Sequence, residues 1–326
     1  MITGLFLAAG IAMLFSGGDL LVRGASGIAR ALRVSPLIIG LTIVAFGTSA
    51  PELVVNLVAV LQGSHGVAFG NVVGSNLANI GLILGLAAVF RPIQVGGTVI
   101  VREIPMMILV SAVAVLLGLD GLLQGMPDVF SRSDCLVLLL LFGVFLYYNI
   151  FDAVRARRSD RYLDEVEGGI AASAGGSLLS DVVRTMAGLA LLVAGGKLTV
   201  MGAVGAARGL GVSEGLIGLT VVAVGTSLPE LAASCIAAWR NEPELAVGNV
   251  VGSNIFNLCL VLGLAGAIAP VAVPAGGRLD LAAMLAISLI LLPMAMTSLR
   301  RITRAEGAAL LAVYFGYIAF RAVMFR

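Results

Sequence analysis

Gly47-Thr48-Ser49-Ala50-Pro51-Glu52 lies inside an otherwise apolar run, and 178 residues later Gly225-Thr226-Ser227-Leu228-Pro229-Glu230 lies inside another. The likeness extends well beyond the hexapeptide. Aligned without a gap, Gly40 to Leu86 and Gly218 to Leu264 share 25 of 47 residues, and the shared residues are polar or glycine as often as apolar. Common hydrophobic composition does not produce that pattern, whereas an internal duplication does.

Outward from these stretches the chain stays apolar. Of its 326 residues 60% are hydrophobic and 12% charged, where a soluble domain has about half and about a quarter. The expected fold class is therefore an all-α integral membrane protein. A helix needs about 20 residues to cross the hydrocarbon, and ten segments suffice, near 3–30, 36–61, 67–90, 103–123, 133–152, 181–208, 214–239, 245–268, 279–299 and 304–324. The longest polar stretch, Arg155 to Gly176, reads as a solvated linker. The expected organisation is repeat one over 1–153 (helices one to five, motif 40–86), a cytoplasmic linker over 154–176, and repeat two over 177–326 (helices six to ten, motif 218–264).

Five is odd, so the second five-helix unit enters the membrane from the opposite side and the repeats are inverted. Charge fixes the expected orientation. With the N-terminus outside, cytoplasmic loops hold Arg30, Arg33, Arg91, Arg102, Arg155, Arg157, Arg158, Arg161, Arg240, Arg300, Arg301 and Arg304, and outside loops chiefly Arg132, Arg208 and Arg278. The positive-inside rule then places both termini outside a cell membrane, plasma or inner. The repeat reaches upstream too, since Gly17-Gly18-Asp19-Leu20 recurs as Gly195-Gly196-Lys197-Leu198. That match raises an interhelix pair of Asp19 with Lys197, against the preferred reading that each faces water or headgroups from its own helix.

Several functions have no residues to support them. Nucleic-acid binding has no support, and the net charge of +2 says little, because what matters in a membrane protein is where the arginines sit. Cys135, Cys235 and Cys259 sit in apolar runs and read as small buried residues. The sole histidine, His65, falls in an expected outside loop, where water would solvate it. An intramembrane protease would want a Ser-His pair or two membrane aspartates, so no enzyme and no cofactor are expected. The partner that composition implies is the lipid bilayer.

Glu52 and Glu230 carry the chemistry. A carboxylate in mid-membrane costs several kcal/mol unless it is paired, protonated or facing a wet cavity. Thr48 and Ser49 precede Glu52 by four and three residues, so their oxygens share its helix face. Pro51 offers no N–H to Gly47 and clashes with its carbonyl, so the helix should break there. A break frees carbonyls such as that of Ala45, and Thr226, Ser227 and Ala223 repeat the arrangement.

Downstream, Gly70-Asn71-Val72-Val73-Gly74-Ser75-Asn76 with Asn79 recurs as Gly248-Asn249-Val250-Val251-Gly252-Ser253-Asn254 with Asn257. Ser75, Asn79, Ser253 and Asn257 read as cation ligands, and Asn71 and Asn249 equally as ligands or packing glue. All these donors are oxygens, which suits a hard cation and Ca²⁺ above Mg²⁺.

With the motifs laid out, the chain resembles the sodium/calcium exchanger family, within the calcium/cation antiporters. Gly-Thr-Ser-x-Pro-Glu followed by Gly-Asn-Val-Val-Gly-Ser-Asn, present twice, is similar to that family's two alpha repeats. The resemblance implies a Ca²⁺/Na⁺ antiporter working by alternating access, with helices one and six moving across a core of helices two, three, seven and eight. It implies a central divalent site at Glu52 and Glu230. Sodium sites would flank it, built from Thr48, Ser49, Ser75, Thr226, Ser227 and Ser253 with the Ala45 and Ala223 carbonyls, and Asn79 and Asn257 would complete the cluster. Some members carry Asp at one or both of the last two positions, so here the side chains bring only −2. That leaves open a proton- or potassium-linked divalent antiporter, and a cation channel is a further alternative. The linker is too short for the calcium-sensing domains of the animal exchangers.

Overall fold

A computed structural model describes residues 2–123, 125–166, 177–209, 225–297 and 300–324. Helix α1 (Ile2–Leu32) ends where Arg33 takes a left-handed φ of 55°, ahead of Pro36. The next span is bent by 43° into α2 (Pro36–Thr48) and α3 (Ala50–Leu61). Then come α4 (His65–Phe90), the two-residue strand β1 (Ile93–Gln94), α5 (Val99–Leu117), a single turn α6 (Asp120–Leu123) and strand β2 (Val129–Phe130). Helix α7 (Arg132–Val166) closes the first half.

The second half holds α8 (Leu178–Gly209), α9 (Leu228–Trp239), α10 (Pro243–Ile268), strand β3 (Val271–Ala272), α11 (Gly277–Met296), strand β4 (Arg301–Ile302) and α12 (Arg304–Met324). Among the described residues eight helices are long and apolar enough to cross a membrane, and the bent pair α2–α3 makes a ninth. The first part of the expected span 214–239 lies outside the described residues. Helix α9 is its second part.

Helices α1 and α8 pack backbone to backbone, and glycine is the reason. Gly10, Gly17 and Gly24 recur every seventh residue on one, and Gly188, Gly195 and Gly202 on the other. A Cβ on Gly17 would run into the Gly188 carbonyl, and one on Gly188 into the Leu21 amide. Small residues at such a seam let two backbones approach closely in lipid, where no hydrophobic drive pushes helices together.

The strands are a feature the all-helical reading lacks. β1 pairs antiparallel with β4 and β2 with β3, so each pairing joins the first half to the second. Helices α4 and α10 form the buried centre, with about three-quarters of their most apolar stretches covered by other helices. Each passes into a π-helical turn, Asn79–Leu84 and Phe256–Leu262.

Two expectations change, and one open pairing is resolved. Arg155 to Val166 continues α7 as helix instead of opening a loop, because that stretch contains good helix formers and meets no glycine before Gly168. His65 is half-buried at the start of α4, and its Nδ1 has no hydrogen-bond partner among the described residues. Asp19 pairs with Arg23 at 2.9 Å and with Arg240 at the end of α9, so its cationic partners are not Lys197.

Candidate functional site

The two acids sit at helix starts. Ser49 (φ −85°, ψ 3°) interrupts the second span, and Pro51 and Glu52 fall in the first turn of α3. Ser227 (φ −88°, ψ 7°) stands in the same relation to α9, with Pro229 and Glu230 in its first turn. The break therefore falls two residues before each proline, where the ring begins to exclude a continuous α-ladder. Each carboxylate thus lies at the positive end of a half-helix, a placement worth about 0.3–1 kcal/mol and up to about 2 when partly buried.

Hydrogen bonds draw the two helix starts together. The Ser49 hydroxyl donates to Glu230 Oε1 at 2.9 Å, and the Ser227 hydroxyl to Glu52 Oε1 at 3.3 Å. The Thr48 hydroxyl donates to Asn249 Oδ1 at 3.1 Å, and that of Thr226 to Asn71 Oδ1 at 3.4 Å. Asn71 Nδ2 reaches the Glu52 carbonyl at 3.4 Å, and Asn249 Nδ2 the Glu230 carbonyl at 3.5 Å. The members of each pair correspond at the 178-residue offset. Asn71 and Asn249 are thus engaged in tying Thr and Glu of opposite halves, which is a positioning role.

Ser227 also contacts Ser75 Oγ at 3.2 Å, and Asn79 Nδ2 donates to Asn254 Oδ1 at 2.9 Å. Thr48, Ser49, Glu52, Ser75, Asn79, Ser227, Glu230, Ser253 and Asn257 are each at most 3% exposed. Thr226 is half-buried. The break does not free the Ala45 carbonyl, which accepts the Ser49 N–H at 3.0 Å and has the Thr48 hydroxyl 3.4 Å away. Ala223 lies outside the described residues.

Oxygens are left over. Glu52 Oε2, Glu230 Oε2, Asn79 Oδ1, Asn257 Oδ1 and Ser253 Oγ are buried with no hydrogen-bond partner among the described residues. Buried acceptors without donors are costly, and this set of carboxylate, amide and hydroxyl oxygens is the chemistry a hard cation takes. A cavity of about 580 Å³ flanks the site, reaching Pro51, Thr226, Pro229 and Lys197.

Further polar residues serve the site without standing out by sequence alone. Asn56 donates to the Glu52 carbonyl at 2.9 Å, and Ser234, at the corresponding position after Glu230, accepts from Asn249 at 2.9 Å. Their signal was a polar residue four places after each acid. Asn76 donates to the Asn254 carbonyl at 3.1 Å, joining α4 to α10.

The family model for "Sodium/calcium exchanger protein" matches residues 2–151 and 181–323. The chain belongs to the sodium/calcium exchanger family. It is 41% identical over 320 residues to the putative antiporter CaxA of Alkalimonas amylolytica, covering 97% of this chain and 98% of that one. With the sodium/calcium exchanger MaX1 of Methanosarcina acetivorans it shares 34% over 354 residues, 98% of each. The fold superposes on the sodium-calcium exchanger NCX_Mj, soaked with zero Na⁺ and Ca²⁺, with a TM-score of 0.83, 32% identity and 98% of each chain covered. This exchanger-family chain is a multi-pass membrane protein of an antiporter type, and its relatives are transporters, not enzymes.

Proposed function

We propose that the protein exchanges Ca²⁺ for Na⁺ across a cell membrane by alternating access, with both ions competing for the oxygens around Glu52 and Glu230. The observation that carries this reading is the reciprocal linkage of the two acids, Ser49 to Glu230 and Ser227 to Glu52, beside five buried oxygens that lack donors. Ca²⁺ takes about six to eight oxygens. Glu52, Glu230, Asn79 and Asn257 supply its first ligands, and sodium ions use Thr48, Ser49, Ser75, Thr226, Ser227 and Ser253. The Ala45 and Ala223 carbonyls complete the set, Ala45 on release of its Thr48 contact.

Hydroxyls suit this task because each has one donor and two acceptor lone pairs. Ser49 can keep its proton on Glu230 while its oxygen faces a cation. Obligatory exchange follows from charge. Two buried carboxylates without a counter-charge face several kcal/mol of desolvation each, and about 1.4 kcal/mol slows a step tenfold. The empty carrier is thereby held from reorienting, while one Ca²⁺ or two Na⁺ neutralise the pair.

The reading places the chain as two inverted five-helix repeats, 1–153 and 177–326, with both termini outside the plasma or inner membrane. Sodium-gradient-driven ⁴⁵Ca uptake into proteoliposomes, with proton and potassium gradients clamped, tests it. Glu52→Gln and Glu230→Gln each reduce uptake to the protein-free background. Uptake that persists in either variant, or that follows a pH gradient with sodium absent on both sides, overturns the assignment.

A further inference from the structure

The two strand pairings make similar corners at the two ends of the molecule, with different charge balance. Strands β2 and β4 correspond at an offset of 172 residues, so Asp128 and Arg300 occupy matching positions just before them. At one end Asp128 pairs with Arg278 and accepts the Gly121 N–H at 2.6 Å. These contacts, the Arg278 bond foremost, hold its carboxyl below the usual range. That corner is internally neutralised.

The other end has no such balance. A cavity of about 700 Å³ is lined there by Arg91, Arg300, Arg301, Gln94, the Gly96-Gly97 backbone and, among the described residues, a single acid, Glu244. The Arg300 guanidinium lies over Gly97, where a Cβ would stand 3.4 Å from it. Arg91 donates to the Trp239 carbonyl at 3.1 Å. Three arginines and one carboxylate share this lining.

A second cavity of about 390 Å³ adjoins the first, sharing Gly97 and Arg300, and its remaining walls are Ile100, Val101 and Met296. Val101 is 80% and Met296 63% exposed, as expected of lipid-facing side chains. Trp239 and Phe90 beside the cationic cavity are also exposed, at the ends of their helices. Aromatic residues at helix ends mark the level of the headgroups.

We infer that this corner binds the phosphate of an anionic phospholipid, with the headgroup against Arg91, Arg300 and Arg301 and an acyl chain along Ile100, Val101 and Met296. Guanidiniums bind phosphate oxygens with paired, charge-assisted hydrogen bonds, and the adjoining apolar groove distinguishes a lipid from free phosphate. The site is separate from the ion-binding acids, so it stands independently of the transport reading.

The chain has one tryptophan, Trp239, whose carbonyl Arg91 holds, so its emission reports occupancy. The full-length protein in dodecyl maltoside is titrated with phosphatidylglycerol, with phosphatidylcholine, and with sodium phosphate against sodium chloride of equal ionic strength. A saturable change with phosphatidylglycerol alone is expected. Arg300→Gln combined with Arg301→Gln moves its midpoint up by about tenfold, and Glu244→Gln moves it down by about threefold. The downward shift excludes misfolding, which only weakens binding. Equal responses to both lipids, an unmoved midpoint in the arginine variant, or saturation by sodium phosphate alone would overturn the lipid site.

Discussion

The Ser49 hydroxyl donates at 2.9 Å to Glu230, a residue 181 positions away that begins the matching half-helix. Its counterpart, Ser227 to Glu52, spans 3.3 Å and is shared with Ser75. Neither acid is held by its own half alone. Hydrogen bonds to charged groups contribute about 1.5–3 kcal/mol. Ser49→Ala and Ser227→Ala should each raise the half-saturating Ca²⁺ concentration by about tenfold or more in ⁴⁵Ca uptake. Ser227→Ala should do so more strongly, because it also removes the contact to Ser75.

Asn257 has neither side-chain atom paired among the described residues, unlike Asn79, whose amide nitrogen bonds Asn254. An added charge is therefore least disruptive at that position. Asn257→Asp should lower the half-saturating Ca²⁺ concentration by about tenfold, equivalent to about 1.4 kcal/mol. Isothermal titration of the purified protein with Ca²⁺ checks it, and unchanged or weaker binding would remove Asn257 from the ligand set.

Gly188 and Gly196 lie on the same helix and differ in what surrounds them. A Cβ at Gly188 meets backbone atoms of Gly17 and Leu21, whereas one at Gly196 makes ordinary contact with Pro229 and Leu228 at 3.6–3.8 Å. Overpacking costs about 1–3 kcal/mol, and backbone cannot rotate away. Gly188→Ala should lower the thermal midpoint by several degrees, and Gly196→Ala should leave it nearly unchanged, in a scan followed by intrinsic fluorescence.

Asp128 titrates below its ordinary value because Arg278 holds its charged form. A carboxylate with a depressed folded-state pKa adds stability above the unfolded value of about 3.9, and that stability is lost as pH falls through the folded value. Asp128→Asn should therefore melt earlier than the parent protein at pH 7. The gap should persist to about pH 4 and close below it. A gap that closes between pH 7 and 5 would assign it to another group.

Much of the site was legible in sequence because two copies of one motif tell polar residues kept together apart from polar residues scattered along a helix. Glu52 and Ser49 match Glu230 and Ser227 at the 178-residue offset, and the structure brings these four together. The crossed pattern was not legible, since a linear motif suggests that Ser49 serves Glu52 and spacing does not say which acid it faces. The start of the fourth span differs for a related reason. The sequence puts Arg102 in a loop and opens the span at Glu103, yet Arg102 pairs with Glu103 and Asp152, and Tyr148 donates to Glu103 at 3.0 Å, so the helix runs through them from Val99. Their partners lie about 50 residues on, beyond any local window. The two-residue strands were equally hidden, being set by which chain ends meet.

The crossed bonds also bear on how the chain is made. The hydroxyl that Glu52 needs belongs to Ser227, 175 residues later, and strand β1 waits for β4 near the far end of the chain. The nascent first half therefore enters the bilayer carrying an acid whose mate does not yet exist. It is a client awaiting completion, exposed to membrane quality control until synthesis is nearly over, and the two halves expressed as separate polypeptides should survive only when made together.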